Sequence, residues 1–399
     1  MATTISTMSS ATEELFARYV VPNYRRFSLS IERGEGSWVW DDQGRKYLDF
    51  FPGWGCNLLG HCPPAVVAAV QDQVTRLIHV PNTWHFESQG VWAKMLSERS
   101  FDGQAFFCNS GAEANEAAIK LVRLHTPEKR YKIITFQGGF HGRTCGAVTA
   151  TAQPKYHEDL GPMLPGFLYA PYGDLNAVRK LIDDETAGIL VEPIQGEGGI
   201  RLPPEGFLQG LRDLADEQDL LLVFDEVQAG CGRTGEWFAY QNFGVTPDVM
   251  TLAKSVCGGI AGAAMLTTPE IASSLRPGMH AATFGGNPIA ARAGIATIEM
   301  IEGQGLLART KELGEMFRAK LGSLVDQLDV VKELRIAGLM IGIELFVDGT
   351  QVVSDCMEKG LLVNCTQGNV IRLLPAMTLT DEEVQEGCEI LSDVLRNTG

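Results

Sequence analysis

Lys254 stands in "TLAKSVCGG" (251–259), directly after an apolar run and before two glycines. Strands buried on both faces carry almost no charge, and lysine is rarely buried unless paired. Its amine therefore either escapes at a loop or sits at a strand end because chemistry needs it there. Other groups in the chain favour the second reading. In "LLLVFDEVQAGCGRTG" (220–235) Asp225 and Glu226 follow an apolar run at once. A carboxylate partly desolvated there needs a cation or strong donors, a loop cap being the plainer alternative. "NSGAEANEAAIK" (109–120) leaves a strand through Ser110-Gly111 and opens a helix. Its first N–H groups could bind phosphate, or the segment is simply a strand-to-helix turn. "GGFHGRT" (138–144) brings an aromatic ring, Phe140, close to His141 and Arg143. Arg143 is a natural carboxylate clamp, whereas a lone His141 is more often structural. "EPIQGEGG" (192–199) puts Glu192 at a strand end and Glu197 in a glycine-rich loop.

An anion cradle, a strand-end carboxylate, an aromatic ring and an amine are the parts required by pyridoxal 5'-phosphate. That cofactor needs a lysine Schiff base and an acidic partner for its pyridine nitrogen. Lys254 is the candidate lysine, and also the general base and acid once a substrate amine displaces it. Asp225 is the candidate acidic partner.

These groups need a common scaffold. Short apolar runs at 105–109, 132–136, 188–192, 220–224, 248–253 and 262–267 alternate with helix-like segments such as 112–125 and 207–218. Such alternation predicts an α/β layer with a mostly parallel central sheet flanked by helices. Ligands bind outside the carboxyl ends of the strands in sheets of this kind. Segment 36–50 reads as a hairpin turning near Asp42-Gln43-Gly44. Segment 63–79 carries apolar residues at 66, 67, 70, 74, 77 and 78, a helical stripe opened by proline. After about 288 a long helical region (288–327) leads to strand candidates at 338–346, 361–364 and 370–375. A last helix starts at Thr380 with Glu383 completing a capping box. The expected division is an N-terminal segment, 1–60, packing with a small α+β unit, 288–399, around a large domain, 61–287.

Net charge is −16 over 399 residues, which argues against nucleic acid or an anionic membrane as the main partner. Nine cysteines without a C-x-x-C pair fit a reduced, cytoplasmic protein and no metal site. The N-terminus "MATTISTMSSATEEL" lacks the layout of a signal peptide, and Glu13 and Glu14 oppose a transit peptide. No apolar stretch reaches 18 residues. There is no G-x-x-x-x-G-K-[ST] loop and no G-x-G-x-x-G opening a helix, which disfavours a nucleotide-binding protein.

The chain closely resembles the class III, fold-type-I pyridoxal-phosphate aminotransferases. The motifs run from "GEGSWVWDDQGRKYLDF" through "FFCNSGAEANEAAIK", "FHGRT", "EPIQGEGG", "DEVQAGCGRTG", "TLAK" and "TFGGNP" to "GLMIGIEL" and "VIRLLP". Within that family the similarity is greatest to the acetylornithine/succinylornithine group. The resemblance implies that Lys254 bears the cofactor, Asp225 pairs with the pyridine nitrogen, Gln228 contacts the ring hydroxyl and Phe140 stacks on the ring. It implies phosphate-binding amides at Gly111 and Ala112. It also implies a homodimer with a composite active site, Thr283 of "TFGGNP" reaching the neighbouring subunit's phosphate beside Ala282, near phosphate or substrate. Arg143 would bind a substrate carboxylate. Arg372 would receive the α-carboxylate of 2-oxoglutarate, with Glu197 as a switch that hides its charge when a terminal amine is presented. A permanent Glu197–Arg372 ion pair is the alternative. The implied reaction is terminal amino transfer from N2-acetylornithine. Succinylornithine, ornithine, acetyl-lysine and 4-aminobutyrate are alternative donors, and a non-catalytic binding protein is the remote alternative. Ala112 and Ala282 replace the family's usual threonine and serine. Trp54 stands where relatives carry small aliphatic residues, in a region that shapes substrate access.

Overall fold

The apolar runs between residues 104 and 267 form one seven-stranded sheet in a computed structural model of the chain, which describes residues 11–127 and 129–398. The reading of residues 1–10 as free of targeting signals lies outside the described residues. In space the strands are ordered Gln104–Cys108, Ala263–Thr267, Val249–Leu252, Leu221–Asp225, Thr186–Val191, Lys132–Phe136 and Phe167–Ala170. Ala263–Thr267 runs antiparallel to both neighbours and the other pairings are parallel. Every residue of Thr186–Val191, Leu221–Asp225 and Val249–Leu252 is buried, so these strands read as continuous apolar runs rather than alternating ones. The edge strand Phe167–Ala170 is not among the apolar runs the sequence offers, being four residues behind a Pro- and Gly-containing stretch. The helices Gly111–His125 and Phe207–Gln218 lie between strands as the alternation predicts.

Two smaller sheets complete the fold. The hairpin strands Trp38–Asp41 and Lys46–Asp49 are held at their turn by Asp41, whose Oδ1 accepts from the Gln43 and Arg45 amides. Lys46–Asp49 pairs in parallel with Leu361–Leu362, so the two ends of the chain share a sheet. The other sheet orders Val331–Ala337, Met340–Leu345, Val370–Leu373 and Asn364–Thr366, all antiparallel.

The structure refines two helical regions and corrects one strand. Region 288–327 is three helices, Pro288–Gly303, Leu306–Leu321 and Leu324–Gln327. Gly305, at φ 64°, separates the first two, a backbone turn that glycine makes without steric cost. The single strand at 361–364 is two short strands in different sheets. Helix Pro64–Arg76 does carry the apolar stripe, but the core takes only part of it. Val66 is buried, whereas Val67, Val74, Leu77 and Ile78 are exposed. The final helix, Asp381–Arg396, opens with the expected capping box: Thr380 Oγ1 accepts from the Glu383 amide, and Glu383 accepts from the Thr380 amide. No helix among the described residues is long and apolar enough to cross a membrane.

Candidate active site

Where the parallel strands end, their following residues converge on a cavity of about 500 Å³. Gly111, Ala112, Phe140, Arg143, Glu197, Asp225, Gln228 and Lys254 all line it. Asp225 is the last residue of its strand and pairs in register with Thr251, three residues before Lys254. Lys254 itself sits at φ 45°, a conformation rare for a residue with a Cβ, in the one-turn helix Lys254–Cys257. It makes no ion pair among the described residues, and its side chain is half-buried. The amine is thus brought to the cavity by a strained backbone, as substrate chemistry at that point would need.

Asp225 is 3% exposed and fully provided with donors. Its Oδ2 accepts from Asn115 Nδ2 at 2.7 Å and from His141 Nδ1 at 2.8 Å, and its Oδ1 accepts from the Val227 amide at 3.0 Å. Asn115 also donates to the His141 carbonyl and accepts from Thr251 Oγ1. Two of these partners, Asn115 and His141, are not assigned a role by the sequence. His141 was weighed as a structural histidine, and its bond to Asp225 spans 84 positions. Asn115 had a signal: it is a polar residue one turn into a helix whose neighbouring positions Ala114, Ala117 and Ala118 are buried.

Glu226, next along the chain, points the other way. Its carboxylate accepts from the Ala239 and Tyr240 amides and caps the helix Ala239–Phe243. Burial pushes its carboxyl up to about 7, against those two bonds and with the Asp225 charge adding to the rise. A group bound more tightly to its proton in the folded state stabilises the fold below its unfolded pKa. That contribution is lost as pH rises through the folded value. Glu226 is therefore expected to make stability fall between about pH 4.5 and 7, by at most about 3 kcal/mol. Urea unfolding of wild type and Glu226→Gln across that range checks it: an equally steep decline in both proteins would refute the assignment.

At the helix Gly111–His125, Ser110 Oγ accepts from the Glu113 amide, and Glu113 reaches back to the Asn109 amide. This closes the N-terminal turn and leaves the amides of Gly111 and Ala112 pointing to the cavity end of the helix axis. A Cβ at Gly111 would meet Val227 at 2.8 Å, so the turn lies close against the segment that follows Asp225.

Arg372, 1% exposed, stands behind the cavity wall and not on its lining. Its Nη1 donates to Glu197 Oε1 at 2.7 Å. Burial opposes ionisation of Glu197, but the Arg372 charge and hydrogen bond outweigh it. Lys254 and Lys155 add to the effect, so the carboxyl lies below the usual range. The backbone of this loop is pinned: the Glu197 carbonyl accepts from Thr366 and Gln367, and the Gly196 amide donates to Glu192. Among the described residues, the Glu197 side chain is held by Arg372 alone.

Arg143 lies 3.8 Å over the Tyr156 ring and 5.5 Å over Phe140, and makes no ion pair among the described residues. Its guanidinium edge is open to a carboxylate. Thr283 and Ala282 do not line this cavity within one chain. They line a separate cleft with His280, Lys120 and Glu113. Trp54 is 52% exposed beside Tyr24, and its neighbour Cys56 reaches the cavity instead. Arg233 and Ser255 both donate to the Gly55 carbonyl and fix that turn.

The sequence profile of the family Aminotransferase class-III matches residues 19–395. The acetylornithine aminotransferase of Caldanaerobacter subterraneus subsp. tengcongensis is 46% identical, the match covering 95% of this chain and 97% of that one. Among solved structures, an ornithine aminotransferase of Toxoplasma gondii with partially occupied PLP superposes with a TM-score of 0.93 at 31% identity, covering 97% of this chain and 93% of that one. The acetylornithine aminotransferase of Elizabethkingia anophelis gives 0.88 at 32% identity, covering 98% and 99%.

Proposed function

The chain belongs to the class-III aminotransferases, and from that premise we propose that it moves the terminal amino group of N2-acetylornithine to 2-oxoglutarate, giving N-acetylglutamate 5-semialdehyde and glutamate in arginine biosynthesis. As a member of the family it is a pyridoxal-phosphate-dependent enzyme acting on small amino and oxo acids. The residues present fit that cofactor. The buried Gln228 Nε2 has no partner among the described residues and lies on the cavity, ready to donate to a ring oxygen. Gly196 lets the Gln228 side chain lie against the backbone, since a Cβ there would meet Gln228 Oε1 at 1.9 Å.

Lys254 would hold the cofactor covalently, Asp225 its pyridine nitrogen, Phe140 its ring face, and Gly111 and Ala112 its phosphate. Ala112 offers an amide without the hydroxyl usual in the family. Bound there, pyridoxal phosphate supplies an electron sink for exchange of an amino for an oxo group. Asp225 would keep a negative charge opposite that nitrogen, oriented by Asn115 and His141. The Lys254 amine would take and return the proton of the substrate carbon that bears nitrogen. Arg143 would bind the far carboxylate of either substrate.

The observation that carries the reading is the Glu197–Arg372 pair. A loop pinned by its backbone, with the Glu197 side chain held by Arg372, would allow one pocket to present a neutral wall to an aminomethyl end and, once that pair opens, a cation to an α-carboxylate. The donor follows from charge as well as from the relatives. Arg143 has no counter-ion among the described residues, and Lys155, 5.0 Å over the same Tyr156 ring, adds a second cation. A free α-ammonium there is disfavoured, whereas an acylated nitrogen is neutral. The acetylornithine preference in kcat/KM over ornithine, at saturating 2-oxoglutarate, is therefore expected to be about tenfold or more. Faster turnover of ornithine would overturn the choice of donor.

The working unit in this reading is a homodimer. Val67, Val74, Leu77, Ile78, Trp84 and Phe284 are exposed large apolar residues, a surface that a second copy would cover. Phe284 adjoins Thr283, which would then complete the partner's phosphate site, with Ala282 beside it. The same reading divides the chain at residues 60 and 287 and places it in the cytoplasm. Nine cysteines without a disulfide support a reducing compartment.

A further inference from the structure

Arg372 is held on two sides by groups of different charge. Asn364 lies directly opposite it on the neighbouring antiparallel strand. Its Oδ1 accepts from both Nε, at 3.2 Å, and Nη2, at 2.9 Å. The guanidinium also lies 4.9 Å over the Phe51 ring. The other edge meets the only carboxylate in the set, Glu197, and more distantly Gln228 Oε1 at 3.4 Å. We propose that Asn364 is the positioning residue that holds Arg372 in place when Glu197 moves away, and that its neutrality gives the site its affinity for a second substrate carboxylate.

The argument rests on the switch reading above and adds what that reading requires. A buried guanidinium that lost its only partner would be left with unsatisfied donors, at a cost that would keep Glu197 in place. Asn364 satisfies two of those donors throughout. A carboxylate there would do so too, but would cancel the positive charge that the incoming oxo acid must find. An uncharged acceptor holds the geometry and leaves the charge, and the Phe51 face fixes the plane.

Asn364→Asp keeps shape and adds charge. The two half-reactions of the holoenzyme are measured as separate single turnovers, with N2-acetylornithine and with 2-oxoglutarate. Binding of glutarate, an unreactive dicarboxylate, is measured by calorimetry. The expected result is that the ratio of the two half-reaction specificities shifts about tenfold against 2-oxoglutarate, with glutarate weakened in parallel. Asn364→Ser, which keeps a neutral acceptor, should restore the ratio to within about threefold. An unshifted ratio in Asn364→Asp, or equal losses in both half-reactions for both variants, overturns the proposal. Arg372→Met separates the two levels. If it leaves glutarate binding unchanged, the reading of Arg372 itself fails. If it abolishes binding while Asn364→Asp does not move the ratio, only the role of Asn364 fails.

Discussion

Replacing Lys254 by alanine is expected to lower kcat by about 10³- to 10⁴-fold, the range that loss of a positioned acid–base group produces, with the covalent attachment lost as well. The fold should survive. The side chain is half-buried and makes no ion pair among the described residues, so its removal leaves no buried charge behind. Alanine at a φ of 45° is no worse placed than lysine, since both carry a Cβ. Activity should therefore vanish at nearly constant urea midpoint, and the visible absorbance of the cofactor-loaded protein should change because the amine is gone. A variant within tenfold of wild-type kcat would remove Lys254 from the mechanism. A variant with the unaltered visible spectrum would show that the cofactor is not attached there.

Asp225→Asn should cost about 10²- to 10³-fold in kcat, as removal of one preorganised electrostatic group in a dry site does. The position leaves an amide no good orientation. Oδ2 faces donors from Asn115 and His141, and Oδ1 faces the Val227 amide. Whichever way the new amide turns, its NH₂ opposes at least one N–H. The loss therefore combines a missing charge with a disturbed orientation, and some stability should go with it. The kinetic signature separates the two causes: a missing charge lowers kcat for every amino donor alike, whatever its chain length. Full activity in a folded Asp225→Asn protein would end the case for that residue as the cofactor's acidic partner.

The fold was largely legible because a sheet covered on both faces writes itself as unbroken apolar runs. The strands ending at Val191, Asp225 and Leu252 are fully buried, and a charge standing just beyond such a run is conspicuous. Asp225 and Lys254 were found in that way. Short edge elements carry less signal, and Phe167–Ala170 does not stand out as an apolar run. The apolar stripe on Pro64–Arg76 is legible as a stripe, but periodicity tells which residues share a face and not what that face meets, so only the structure shows Val66 buried and Val67 and Val74 exposed.

The sequence by itself determined the alternation of strands and helices, the strand-to-helix turn at Ser110-Gly111, and the positions of the amine and carboxylate at strand ends. All of these are local, set by runs of a few residues and the turns that follow them. The tertiary structure alone decided which groups stand against them. It brought His141 and Asn115 to Asp225 across 84 and 110 positions. It placed Asn364 opposite Arg372 by strand register, on the far side from Glu197, whose pairing with Arg372 the family resemblance already implies. Such pairings depend on how sheets and loops pack, and packing joins residues whose separation along the chain leaves no periodic trace.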